Sequence, residues 1–137
     1  MSAKFENIEI TETRLNDEPN SYFVFGDNLT KQGLAGGAKL RNHPRAIGFI
    51  TKKAPNGNSK SCFTPEEYSK LFFDQLEQLE THIINNPQRK FYISKLGSGY
   101  ANKHYIWERI IHHNLLESLG KYDNVVFCWE QENLTSN

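Results

Sequence analysis

Phe91-Tyr92-Ile93-Ser94-Lys95-Leu96-Gly97-Ser98-Gly99-Tyr100 is an apolar run that breaks into a glycine-serine turn. An amphipathic run follows from Lys103, in which Trp107, Ile111, Leu115 and Leu119 step by four with Ile110 beside them. The stretch reads as strand, loop and helix. Two glycines around Ser98 let the backbone bend sharply and come close to a ligand. Amides in such a turn, with a helix start behind them, form an anion site. Tyr100 adds a flat amphipathic ring suited to a base or a sugar. Taken alone, Gly97-Ser98-Gly99 reads more simply as a turn.

The same pattern recurs on either side. Tyr22-Phe23-Val24-Phe25 is apolar throughout, as a strand buried on both faces would be, and stops at Gly26-Asp27-Asn28. The small residues of Leu34-Ala35-Gly36-Gly37-Ala38 let a short helix start close to a sheet or ligand, and Asn42-His43-Pro44 ends it. Ala46-Ile47-Gly48-Phe49-Ile50 is another strand, ending in Thr51-Lys52-Lys53. Thr64 as N-cap, Pro65 at the first helical position and Glu67 as capping-box partner start a helix that Pro87 closes. Val125 to Trp129 forms a last buried strand, and the alternation of Ile8 to Thr13 suits an edge strand. Strands alternating with helices predict an α/β sheet with helices on its faces. In such folds ligands bind beyond the carboxyl ends of the strands. Three loops fall there: Gly26-Asp27-Asn28, Thr51-Lys52-Lys53 and Gly97-Ser98-Gly99.

The 137 residues suit one domain, with a frayed polar tail from Glu130. Sixteen basic residues balance sixteen acidic ones. That balance argues against general nucleic-acid binding, so any nucleotide bound here would be a small molecule held in a pocket. No run approaches membrane-spanning length, and the first residues lack the apolar core of a signal peptide. Cys62 and Cys128 make neither a disulfide framework nor a metal spacing. The expectation is a reduced cytoplasmic protein without cofactor, metal or membrane partner. His104, Glu108 and His112 share a helical spacing that could hold a metal, but read better as an exposed stripe.

Asp27 is placed to accept from an amino group or a ribose hydroxyl, and Asn28 to donate and accept; an Asx-turn ending the strand is equally legible. Lys52 ends a strand beside Lys53, with Lys95 close if the strands are neighbours. Crowded cations and partial burial free a lysine amine as a nucleophile, whereas a solvated lysine or phosphate counter-charge is the plainer reading.

Residues 22 to 129 resemble the macro-domain superfamily, and most closely its branch that includes terminal ADP-ribose protein glycohydrolase. The resemblance rests on Leu34-Ala35-Gly36-Gly37-Ala38, Ile50-Thr51-Lys52-Lys53, the acidic helix after Thr64, and Lys95 to Tyr100 with Trp107-Glu108 downstream. It implies a three-layer mixed sheet with helices on both faces and a pocket for ADP-ribose or a related nucleotide. Gly36, Gly37 and Ala38, with Ala35, would lie beside the pyrophosphate and distal ribose. Leu96, Gly97, Ser98 and Gly99 would cradle phosphates, and Tyr100 would pack on the ligand. Gly26, Asp27, Asn28 and Thr51 complete the expected binding set. Lys52 matches the lysine that attacks the distal ribose in that branch. The branch's acidic residue after the second loop is Ala101 here, and alanine carries no proton, which leaves Asp27 as the candidate second catalytic group. The resemblance implies binding, with hydrolysis of ADP-ribosyl linkages as the activity in question and an ADP-ribosylated macromolecule as a wider partner. Two other classes stay open: a non-catalytic binder that sequesters an NAD-derived signal, and an interaction module with a vestigial pocket.

Overall fold

The structure, a computed structural model, describes residues 2–131. Five strands, β1 (Lys4–Phe5), β2 (Ser21–Asn28), β3 (Ala46–Lys52), β4 (Lys90–Ile93) and β5 (Val125–Phe127), form one sheet in the order β1-β5-β4-β2-β3. Every pairing is parallel. The expected mixed sheet is thus corrected to an all-parallel one. Each of the first four strands is followed by a crossover rather than a hairpin, as parallel pairing requires.

The crossovers divide by direction. Those from β1 to β2 and from β2 to β3 move one way across the sheet. They carry α1 (Glu12–Asp17) and a short 3-10 helix at Gly36–Leu40. Those from β3 to β4 and from β4 to β5 move the other way. They carry α2 (Pro65–Asn85), a π-helical turn at Trp107–Ile111 and α3 (His112–Leu119). A single crossover hand demands that opposite directions use opposite faces. The core obeys it. Val24, Phe91, Ile93 and Phe127 pack with α2 and α3, while Phe23, Phe25, Tyr92 and Val126 pack with Ile10, Leu15 and Leu40. Alternate residues of one strand therefore feed two separate cores.

The start of α2 is as its sequence predicts: Thr64 Oγ1 accepts from Glu67 N at 3.3 Å and Glu67 Oε1 accepts in return from Thr64 N at 3.0 Å. The edge strand expected over Ile8 to Thr13 does not form. The chain leaves the sheet after Phe5, and Thr11 instead caps α1 by accepting from Arg14 N. The final helix expected from the four-residue step is π-helical in its first turn, capped by Asn102 Oδ1 accepting from Trp107 N at 2.9 Å. A strict step of four drifts around an α-helix by roughly 40° each turn, and the wider π turn absorbs part of that drift. Of the expected tail, Glu130 and Gln131 lack regular structure, and 132–137 lie outside the described residues.

β3 is an open edge, and α2 blunts it. Gln75 Oε1 accepts from Ile50 N at 2.7 Å and Gln75 Nε2 donates to Ile50 O at 3.1 Å, as a neighbouring strand would. Among the described residues no helix is long and apolar enough to cross a membrane.

Candidate functional site

β2 leads to β3 on one side and β4 leads to β5 on the other, so the chain reverses between β2 and β4. That reversal opens a crevice at the carboxyl ends of the two strands. The loop after β2 (residues 29–41) and the loop after β4 (residues 94–106) frame it from opposite faces. The loop after β3 (residues 53–64) abuts both. Cys62 Sγ contacts Tyr100 O at 3.2 Å, Lys103 Nζ donates to Gly57 O at 2.7 Å, and a Cβ on Gly33 would lie 3.3 Å from Pro55.

The first loop is held by side chains. Asp27, buried at the end of β2, pairs with Arg41 Nη1 at 2.7 Å and accepts from Asn28 N at 2.7 Å. Arg41 also donates to Gly33 O at 2.9 Å and Gln32 O at 3.1 Å, and lies over the Phe25 ring. Asn28 closes an Asx-turn, accepting from Thr30 N at 3.0 Å and donating to Gln32 O at 2.9 Å. Gly48 on β3 leaves room for this cluster, because a Cβ there would stand 2.5 Å from Asp27 Oδ2. Thr51 is buried and its hydroxyl points to Asp27 O at 3.4 Å, against Gly26. Beyond these ties Ala35, Gly36 and Gly37 are exposed, while Ala38 is buried in the smaller core. Gly36 and Gly37 open the 3-10 helix, so their amides have no acceptor within it.

The second loop is held by its backbone. Ser98 N and Oγ both reach Lys95 O, at 3.3 and 2.7 Å, and Gly97 adopts φ +74, which a turn of this kind requires at its third position. Leu96 and Ala101 point into the larger core. Leu96 can therefore meet a ligand only through its backbone, and Ala101 is a core contact. The amides of Gly97, Gly99 and Tyr100 donate to no acceptor among the described residues. Tyr100 is 76% exposed.

Between the first loop and the carboxyl ends of β4 and β5 lies a cleft of about 240 Å³, lined by Ile8, Phe23, Gly36, Gly37, Ser94 and Cys128 among others. A Lys39–Glu9 ion pair at 2.6 Å stands over it. Burial pushes the Cys128 thiol up to about 12, so it enters the cleft as a neutral apolar group and not as a thiolate. Sequence reasoning missed Arg41, Ser94 and Cys128. Alternation from β5 onward places Cys128 on the face of Val126, a signal that could have found it.

Lys52, half-buried at the end of β3, donates to Asn56 O at 2.5 Å. Lys53 pairs with Glu67 at 2.9 Å. Lys95 is not beside Lys52, because β2 separates β4 from β3; its Nζ lies 5.5 Å from the Trp107 ring. The histidine stripe disperses: His104 faces Ser59 O at 3.4 Å, Glu108 binds Asn102, and His112 stacks on Trp107. Among the described residues no three of His, Cys, Asp or Glu gather as a metal site.

No curated protein and no solved structure matches the chain. One family model matches residues 5–103, a span from the end of β1 through the first framing loop and into the second. The chain belongs to that family, whose description is "Family of unknown function (DUF7831)".

Proposed function

We propose that the protein binds ADP-ribose or an ADP-ribose-derived nucleotide in the crevice between β2 and β4, in the manner of a macro domain, and holds it without turning it over. The observation that carries the reading is a row of open amides at a strand-to-helix switch. Gly97, Gly99 and Tyr100 belong to the loop that frames the crevice on one side, and their N–H groups donate to no acceptor among the described residues, while Gly36 and Gly37 start a helix on the other. A diphosphate supplies acceptors for both rows. The cleft beside Gly36 and Gly37 is apolar toward Phe23 and Ile8, which suits a nucleoside face.

Retention without turnover follows from the same residues. Asp27, the carboxylate available in place of the branch's acid, is committed to Arg41 and to the Asn28 amide. Lys52 is bound to a backbone carbonyl, and Ala101 holds no proton. A lysine adduct at a ribose would have no nearby group to carry it forward. Hydrolysis by the lysine route is the second reading, kept because Lys52 has no carboxylate partner among the described residues.

Thermal shift against ADP-ribose, NAD, cyclic ADP-ribose isomers and AMP tests the reading, since a ligand that binds only the folded state raises the melting temperature. ADP-ribose or a cyclic isomer is expected to raise it, and Gly99→Glu to abolish the rise while the variant stays folded. No shift with any member of the panel overturns the proposal. Release of ADP-ribose from an acyl-linked substrate by the wild type, lost in Lys52→Ala, would replace retention by hydrolysis.

A further inference from the structure

A net charge of zero conceals an uneven distribution. The three loops at the carboxyl edge of the sheet, taken as residues 29–34, 52–61 and 94–105, contain Lys31, Lys52, Lys53, Lys60, Lys95 and Lys103 and not one Asp or Glu. Those loops are one surface, because Gly33 meets Pro55, Lys103 meets Gly57, and Cys62 meets Tyr100. The carboxylates that border them in sequence are engaged: Asp27 with Arg41, Glu67 with Lys53, Glu108 with Asn102. The same edge carries Leu29 at 51%, Leu34 at 55%, Tyr100 at 76% and Tyr105 at 60% exposure. Tyr105 keeps its ring outward with a left-handed φ of +65, a conformation a bulky side chain seldom adopts.

We infer that this crown is a docking surface for single-stranded nucleic acid. The crown lysines other than Lys53, which pairs with Glu67, supply the phosphate attraction, which depends on local field and not on net charge. Exposed tyrosines among them supply stacking platforms that every base can use. An acidic peptide would match the lysines but has no use for two upright aromatic rings. An anionic bilayer would match both, but the crown is tied down by Lys103 and Cys62 and lacks an amphipathic helix to bury. The inference is independent of the nucleotide pocket, since an oligonucleotide without ADP-ribose is its ligand.

Fluorescence anisotropy with a labelled twelve-residue oligothymidylate at low salt tests it. Saturable binding is expected, weakening as salt rises with a slope of about two or more on logarithmic axes, as release of three or more counterions predicts. Lys60→Glu combined with Lys95→Glu should weaken it by about tenfold or more, and Tyr100→Ala by about fivefold or more. Lys70→Glu with Lys121→Glu, on other elements, should leave it unchanged. Circular dichroism and melting temperature establish that each variant is folded. Absence of binding at low salt, binding indifferent to the crown variants, or stronger binding to polyglutamate or to phosphatidylserine vesicles than to the oligonucleotide overturns the inference. Gly37→Glu, in the 3-10 helix that lines the pocket and outside the three crown loops, separates the two sites: loss of ADP-ribose with retention of the oligonucleotide leaves this inference standing, whatever becomes of the pocket.

Discussion

The two loops that frame the crevice reach it by opposite means. The loop after β2 is tied by an ion pair and an Asx-turn among Asp27, Arg41 and Asn28. The loop after β4 is tied by a backbone turn, one left-handed glycine and two buried apolar anchors, Leu96 and Ala101. The first loop spends its polar side chains on itself and offers a ligand the amides of Gly36 and Gly37. The second spends the side chains of Ser98, Asn102 and Lys103 on its own turn, the following helix and the neighbouring loop, and offers Gly97, Gly99 and Tyr100. In both, the named side chains most suggestive of chemistry are structural, and the groups left over for a ligand are main-chain N–H.

Gly97→Val is the strongest way to break the comparison. The new side chain would meet Ile111 Cδ1 and hold a β-branched residue at φ +74, for about 3 kcal/mol of lost stability by urea denaturation. Gly99→Ala, with no positive φ and open space around it, should change stability by less than about 0.5 kcal/mol. If the two variants lose the same stability, the second loop is not held by its glycine.

Asp27→Ala comes next. It strands Arg41, whose side chain is 14% exposed, beside a vacated partner. Stability should fall by about 2 kcal/mol, less than for a fully buried pair, because water reaches the guanidinium. Asp27→Asn, which keeps the amide acceptor but not the charge, should lose about half as much. ADP-ribose affinity, read by calorimetry on the folded variants, should fall with the disorder of Gly36 and Gly37 and not with loss of a reacting group. The same stability loss with unchanged affinity would separate the first loop from the ligand.

The third loop sharpens the contrast through pH and is the smallest effect. The Thr64 backbone N–H, and then Lys53, hold the Glu67 carboxyl at about 2, below its ordinary 4.5. A folded value below the unfolded one means the contribution is complete above about pH 4.5 and is lost as pH falls toward about 2. The urea midpoint of the wild type should therefore drop between about pH 5 and about pH 3 more than that of Glu67→Gln. Equal drops would mean that the capping box does not couple this loop to protonation.

What the sequence made legible was local. Thr64, Pro65 and Glu67 sit within four residues, so their capping chemistry needs no knowledge of the rest of the chain. The glycine loops and the strands before them were likewise read from adjacent residues. Three things were not. Parallel pairing of every strand depends on partners far apart, as with Phe5 and Phe127. Ile8 to Thr13 alternates as a strand would, but no strand lies beside it to pair with. Asp27 looked free because its cation, Arg41, is brought back by the turn of the intervening loop. The clustering of lysines was hidden for the same reason: a charge total carries no position.

The pairing of β1 with β5 has a consequence for how the chain is made. Lys4 and Phe5 emerge from the ribosome before the rest of the sheet, and their partners Val126 and Phe127 follow about 120 residues later. Both framing loops and the strands β2, β3 and β4 are complete before β5 exists. Through that interval the N-terminal strand has nothing to pair with, and the far end of the sheet presents β4 as a raw edge. β5 covers that edge on one side and receives β1 on the other, so three residues, Val125–Phe127, join segments about 120 residues apart into one sheet.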